Sequence, residues 1–154
     1  MKFLPEHGPC FVCGTENPKS LGTRWSLMPD GSVEAEMTLT VEQQGPPGHA
    51  HGGASAALID EAMGAAVWQA GHMVVAANLT LDYRRPLPLG VKVKIVGQVA
   101  EVEAHKIYAR GEIRLPGGQI AVVGRGIFVE AKHLFEPLAG ERDTHKSAWA
   151  AYRE

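Results

Sequence analysis

Residues 49–71 read HAHGGASAALIDEAMGAAVWQAG, and this stretch decides the fold. Small and straight-chain residues fill it (Ala54, Ala56, Ala57, Leu58, Ala62, Met63, Ala65, Ala66) and no proline interrupts it, which predicts one long helix stopped by Gly71. Ala54, Leu58, Ala65 and Trp68, together with Ala57, Met63 and Val67, cover most of its circumference. A helix that is apolar nearly all round has to be wrapped by other structure. Asp60 and Glu61 stand in the middle of this dry element, where a charge is costly unless it is paired or hydrogen-bonded. The two are turned about 100° apart. Asp60 can therefore face a site while Glu61 faces elsewhere, in a structural, interfacial or supporting role.

The glycine pair that opens the helix suggests which site. A helix N-terminus presents N–H groups without intrahelical partners and a partial positive charge, and Gly52 and Gly53 carry no side chain to keep a ligand atom away. A carbonyl polarised there develops negative charge against fixed donors, an effect commonly worth ~10²–10³ in rate for one donor. Gly53 and Asp60 share a helix face but lie about 10 Å apart along the axis, at roughly 1.5 Å per residue. One carbonyl carbon cannot touch both. If donor and carboxylate act on the same atom, two copies of the helix run side by side in opposite directions, each N-terminus meeting the other's Asp60. That arrangement is a two-fold dimer with two equivalent sites at its interface.

Composition narrows the class. At 154 residues and 45% hydrophobic content, the chain is the size of one domain and can bury a real core. A formal net charge of −2, with no long basic run, argues against a nucleic-acid partner. The first residues lack an apolar signal core, and Asp60 and Glu61 break the longest hydrophobic stretch, so no membrane partner is expected and a soluble, cytoplasmic protein is. The two cysteines form Cys10-Phe11-Val12-Cys13. Zinc would need two further ligands, for which His7, His49 and His51 are the candidates; without a second Cys pair a local turn is the favoured reading, with no metal. A thioredoxin-like redox role fits less well, because the motif does not sit between a strand and a helix.

Along the chain, Pro5, Gly8, Pro9, Gly14, Asn17 and Pro18 mark residues 1–22 as an ordered loop or cap rather than a regular element. Residues 23–28 and 32–40 read as strands about the turn Pro29-Asp30-Gly31. In the second, Val33, Ala35, Met37 and Leu39 alternate with Glu34, Glu36, Thr38 and Thr40, which predicts one wet face. After the helix, residues 73–83, 91–103, 106–115 and 119–131 read as long strands, with turns at 86–90 and at Pro116-Gly117-Gly118. Two strands, a long helix and four strands give an α+β architecture, a mainly antiparallel sheet of about six strands with the helix covering its apolar face. Residues 23–132 form that domain. Residues 133–154 read as a polar tail with a short helix through Ala148, Trp149 and Tyr152.

This layout, with His51-Gly52-Gly53 opening the helix and Asp60 inside it, resembles the hotdog fold, a long central helix wrapped by a curved sheet. More narrowly it is similar to the acyl-CoA thioesterase clade of the phenylacetic-acid pathway and its mammalian relatives. The resemblance rests on Cys10-Phe11-Val12-Cys13-Gly14 with Asn17-Pro18, on His51-Gly52-Gly53 through Leu58, Asp60, Glu61, Ala62 and Gly64, and on Asn78-Leu79-Thr80-Leu81-Asp82-Tyr83 ending Arg84-Arg85-Pro86. It implies that Asp60 acts as nucleophile or general base, that the N–H of Gly53 or Gly52 binds the thioester carbonyl, and that His51 helps orient the substrate or that loop. It also implies a site between two subunits of a homodimer, alone or in a dimer of dimers, and no cofactor. Some relatives carry Ser or Thr on the strand after the helix to place water; here the stretch is Val75-Ala76-Ala77-Asn78, and Asn78 is the substitute on offer. A polar residue that some relatives carry before the HGG stretch is not evident here, unless Gln43 or Gln44 supplies it.

The expected function is hydrolysis of an acyl-CoA thioester, with Asp60, Gly53, Gly52 and His51 as catalytic residues and Asn78, Glu61, Arg84 and Arg85 as substrate-binding ones. Arg84 and Arg85 end a strand, where coenzyme A phosphates would find two guanidinium groups. The alternatives are a non-catalytic hotdog that binds acyl-CoA or another apolar ligand, and a hydratase or dehydratase of enoyl thioesters.

Overall fold

The computed structural model describes residues 2–135, so the helix expected around Ala148, Trp149 and Tyr152 lies outside the described residues. In chain order the elements are β1 (Lys2–Phe3), β2 (Ser26–Leu27), β3 (Val33–Thr38), a single 3-10 turn (Val41–Gln43), α1 (Gly52–Gln69), β4 (Val74–Tyr83), β5 (Lys92–Glu103), β6 (Lys106–Arg114), β7 (Ile120–Glu130) and α2 (Lys132–Phe135). The strands form one antiparallel sheet in the order β1-β2-β3-β5-β6-β7-β4. Seven strands replace the expected six or so, because Lys2–Phe3 pairs with β2 at the outer edge. The strand expected over residues 23–28 narrows to Ser26–Leu27, while Trp25 supplies a carbonyl to the Leu4 N–H beside it.

Alternation builds the sheet. Along β3, Val33 and Ala35 are buried and Glu36 and Thr38 are exposed. Its acidic residues pair across the ladder, Glu34 with Lys94 at 3.2 Å and Glu36 with Lys92 at 3.6 Å. The hairpin into β3 turns at Gly31, which adopts φ +84, and Asp30 accepts from the Ser32 N–H at 3.0 Å.

The long helix lies on the opposite, apolar face. Leu58, Ile59, Ala62, Met63, Ala65, Ala66 and Val67 are buried against Val93, Ile95, Ile107, Ile113 and Val122 of the sheet, at about 1.5–3 kcal/mol for each large side chain removed from water. From Ala54 to Gln69 every residue is buried or half-buried. Two sheet glycines permit this approach. A Cβ on Gly97 would stand 2.2 Å from the Ala62 carbonyl oxygen, and one on Gly124 would stand 2.2 Å from Ile59 Cγ2.

One edge of the sheet is left open. β4 pairs with β7 alone, and residues 76–80 are exposed. A register shift between Ala76 and Asn78 leaves Ala77 as an extra residue in the middle of that edge.

Candidate active site at the start of the long helix

The loop before α1 is folded back on itself so that His51 arrives in one fixed pose. Gln43 Oε1 accepts from the Thr40 N–H at 2.9 Å, and the bridges Gln44 to Ala50 and His49 to Pro88 close the segment between them. The His51 N–H donates to the Gln43 carbonyl at 2.8 Å, and the Ala50 N–H donates to Leu87 at 2.9 Å. His51 is then extended (φ −63, ψ 138) and caps the helix, its Nδ1 accepting from the Gly53 N–H at 2.8 Å. Its carbonyl takes the N–H groups of Ala54 and Ser55.

Of the two glycine donors singled out in the sequence, Gly53 is thus occupied and Gly52 is open. Among the described residues nothing accepts the Gly52 N–H. The Gly52 carbonyl, in contrast, accepts from the Tyr83 hydroxyl at 2.8 Å. The peptide unit joining Gly52 to Gly53 is therefore held at both ends, by Tyr83 at its oxygen and by His51 at its N–H. Sequence reasoning assigned Tyr83 no role; its place between Asp82 and Arg84-Arg85 at a strand end gave only a weak signal.

A cleft lies on each side of this helix start. The first, about 480 Å³, is lined by Gln43, Gln44, His51, Gly53 and Ala54 with Phe11 and residues 18–21 of the N-terminal segment. The second, about 450 Å³, is lined by Gly52, Ser55, Tyr83, Arg84 and Arg85 with the loop residues Pro46, His49 and Ala50. Arg84 and Arg85 are both exposed there, and their backbone N–H groups share the Ala121 carbonyl as acceptor. Met63 and Phe128 are core residues of the protomer.

Asp60 lines neither cleft. It sits two turns along α1, half-buried, and among the described residues no donor reaches its carboxylate. Burial first, and then the neighbouring Glu61 charge, push its pKa above the ordinary aspartate value. A carboxylate that only supports structure is normally paired when partly buried. Gly53, Ala57, Asp60 and Gly64 share one stripe of the helix, and none of the four is fully buried.

The other sequence candidates separate. Asn78 follows the extra residue on the open β4 edge, is exposed, and accepts from the Thr80 hydroxyl at 3.2 Å. Glu61 turns away from Asp60 toward the N-terminal segment, where its Oε1 lies 3.1 Å from Cys13 Sγ, 3.5 Å from Cys10 Sγ and 3.5 Å from His7 Nδ1. His49 and His51, the other candidate partners for the cysteines, stand in the helix-start loop instead.

Comparison with known proteins agrees with this fold. The Thioesterase superfamily profile matches residues 47–122, from the loop before α1 into β7. Acyl-coenzyme A thioesterase THEM4 of Xenopus laevis is 46% identical over 72 residues, covering 46% of this chain and 32% of the relative. The chain thus spans about a third of the length of that curated protein. A crystal structure of a thioesterase superfamily protein superposes with a TM-score of 0.77 at 38% identity, covering 79% of this chain and 60% of the other. The E. coli PaaI protein of the phenylacetic acid degradation operon gives 0.68 at 26% identity, covering 73% and 82%. No helix among the described residues is long and apolar enough to cross a membrane. Sheet, helix and HGG helix start together place this chain in the thioesterase superfamily, with the hotdog fold.

Proposed function

We propose that the protein hydrolyses acyl-CoA thioesters at two equivalent sites of a homodimer. The observation that carries this reading is the pair of unsatisfied groups on α1, the open Gly52 N–H at its start and the unpaired, half-buried Asp60 two turns on. Neither completes a site within one protomer. Two further features support their meeting across a two-fold axis. The exposed β4 edge carries Ala76, Ala77, Leu79 and Thr80 with no proline or lysine to blunt it, which favours pairing with another strand. The stripe through Gly53, Ala57, Asp60 and Gly64 carries only small side chains besides the carboxylate, so a second α1 can approach closely. If β4 pairs antiparallel with its own copy, the two helices lie on the same face of a continuous sheet and run in opposite directions.

The reaction then follows. The Gly52 N–H polarises the thioester carbonyl, and the Gly53 N–H stays on His51 to hold the helix start in place. Asp60 of the other protomer attacks the carbonyl carbon, or takes a proton from a water that does. The tetrahedral intermediate collapses with cleavage of the C–S bond, and coenzyme A leaves as thiolate, which is eased by a thiol pKa of about 8.5; where Asp60 itself attacks, water then hydrolyses the Asp60–acyl anhydride, releasing the acid and restoring the carboxylate. Asn78 on the shared edge orients the water, and Arg84 and Arg85 at the second cleft hold phosphates of coenzyme A. The similarity to acyl-coenzyme A thioesterases supports coenzyme A as the carrier.

A thiol-release assay with short, medium, branched and aromatic acyl-CoAs tests the proposal. Wild type is expected to turn over at least one of them, and Asp60→Asn to lower kcat by about 10² or more with unchanged folding. Equal rates for the two proteins exclude Asp60 from the chemistry. Binding without turnover by wild type makes the protein a ligand-binding hotdog.

A further inference from the structure

The second carboxylate of α1 belongs to a different constellation. His7, Cys10 and Cys13 are spaced three residues apart in the N-terminal segment, and Glu61 reaches them from the helix; one ligand atom from each lies within 4.8 Å of every other. We propose that these four residues form a closed, tetrahedral zinc site that fastens the N-terminal segment to α1.

The distances fit the metal. With Zn–S of about 2.3 Å and Zn–N and Zn–O of about 2.0–2.1 Å, tetrahedral geometry sets S···O and S···N edges near ~3.5 Å and an N···O edge near ~3.3 Å. Cys10 Sγ to Glu61 Oε1 is 3.5 Å, Cys13 Sγ to His7 Nδ1 is 3.6 Å, His7 Nδ1 to Glu61 Oε1 is 3.5 Å, and Cys13 Sγ to Glu61 Oε1 is 3.1 Å. The donor set of two thiolates, one imidazole and one carboxylate suits Zn²⁺ among divalent ions.

The backbone is shaped for the same purpose. Gly14 N–H donates to the Cys10 carbonyl at 3.0 Å, closing a tight turn, and the Val12 N–H points at Cys10 Sγ at 3.4 Å. An amide aimed at the sulfur stabilises a metal-bound thiolate from outside the coordination sphere. Only glycine fits at position 14, because a Cβ would lie 2.3 Å from both the Cys10 nitrogen and the Gly8 oxygen. Cys13 is buried, and His7, Cys10 and Glu61 are half-buried, so the groups are screened without being inaccessible during folding.

Four protein ligands leave no open position, which makes the site structural. It joins the segment that walls the first cleft, through Phe11 and residues 18–21, to the helix that carries Asp60. The sequence alone favoured a metal-free turn because it holds no second Cys pair and Glu61 is remote in the chain.

The test is metal analysis of the intact protein purified without chelator, with native mass spectrometry before and after chelation. About one zinc per chain is expected. Cobalt exchanged into the chelated protein should give the intense visible bands of a tetrahedral ion and thiolate charge transfer. Cys13→Ser and Glu61→Gln should each lower retained zinc by about tenfold or more, whereas His49→Ala retains it. The cobalt spectrum of wild type needs no variant to fold. Wild type that holds no zinc and gives no thiolate–cobalt bands, or that carries a Cys10–Cys13 disulfide when isolated, overturns the proposal.

Discussion

The Tyr83 hydroxyl donates to the Gly52 carbonyl oxygen at 2.8 Å and so ties the last residue of β4 to the first residue of α1. Through this bond the open sheet edge and the helix start become one rigid unit. In the proposed dimer, strand pairing at that edge bears directly on the aim of the Gly52 N–H.

Tyr83→Phe removes the bond while keeping the ring. Tyr83 is 55% exposed, so the cost in stability is at most about 1 kcal/mol, and a several-fold loss of kcat is expected from the loosened peptide unit. His51→Ala releases the other end of the same unit and costs about 1 kcal/mol as a lost helix cap. Because both bonds hold one peptide, the double variant should lose less activity than the product of the single losses. Strictly multiplicative losses in the thiol-release assay would separate the two residues.

Two glycines on the helix–sheet unit should respond oppositely to the same substitution. Gly97→Ala drives a Cβ to 2.2 Å from the Ala62 carbonyl, a backbone atom that cannot swing away, and should cost more than about 3 kcal/mol or prevent folding. Gly64→Ala meets only Phe128 Cε1 at an ordinary 3.8 Å and gains helix propensity, up to about 1 kcal/mol. Urea unfolding of both variants, with sedimentation to follow association, checks the contrast. A larger Gly64→Phe change should leave the protomer folded but block close helix pairing.

Glu112 sets a pH dependence. Burial pushes its carboxyl up, but hydrogen bonds and charges from Arg114, and then from Arg110, outweigh this and hold it below the usual carboxylate range. Arg114 lies 2.8 Å and Arg110 3.0 Å from its oxygens. A depressed folded-state pKa contributes stability that is present above the unfolded value, about 4.3 for glutamate, and is lost as pH falls through the folded value. Both arginines are over 40% exposed, so solvent screening limits the contribution to about 1 kcal/mol. Glu112→Gln should be less stable than wild type at pH 7, and the gap should close in unfolding curves below pH ~4. A gap that persists at low pH would assign the loss to packing.

Much of this arrangement is legible in the sequence. The helix is a local property of an uninterrupted alanine-rich run, and strands β4 to β7 match their expected ranges to within a residue; Pro and Gly mark the turns at 86–90 and 116–118, whereas the Ala104-His105 turn between β5 and β6 carries neither and Ala104 takes φ +48 there. The separation of Gly53 from Asp60 needed only helix rise. What escaped depends on partners far along the chain. A two-residue strand such as Lys2–Phe3 exists only because Ser26–Leu27 lies beside it. Glu61 and Cys13 are 48 residues apart, and no local pattern announces their contact at 3.1 Å. Which glycine keeps a free N–H is decided by the pose of the His51 ring, and sequence carries no trace of it.

That last detail allows the shared-site proposal to be tested one group at a time. Gly52 is the first helical residue, where proline is well tolerated, and His51 before it already has the extended conformation that proline demands of its predecessor. A Cβ at Gly52 meets the end of the Tyr83 side chain at 3.2 Å, which a small rotation relieves. Gly52→Pro thus deletes a single N–H with little effect on folding, and should lower kcat by about 10²–10³. Asp60→Asn disables the other half of the site. When the two variants are unfolded together and refolded as a mixture, about half of the dimers contain one chain of each kind. In such a dimer one interface site carries both defects and the other carries neither. Activity should return to about a quarter of the wild-type value, although each variant alone is nearly inactive. No recovery, with mixed dimers confirmed by native mass spectrometry, would place donor and carboxylate within the same chain's site and refute the antiparallel helix pair.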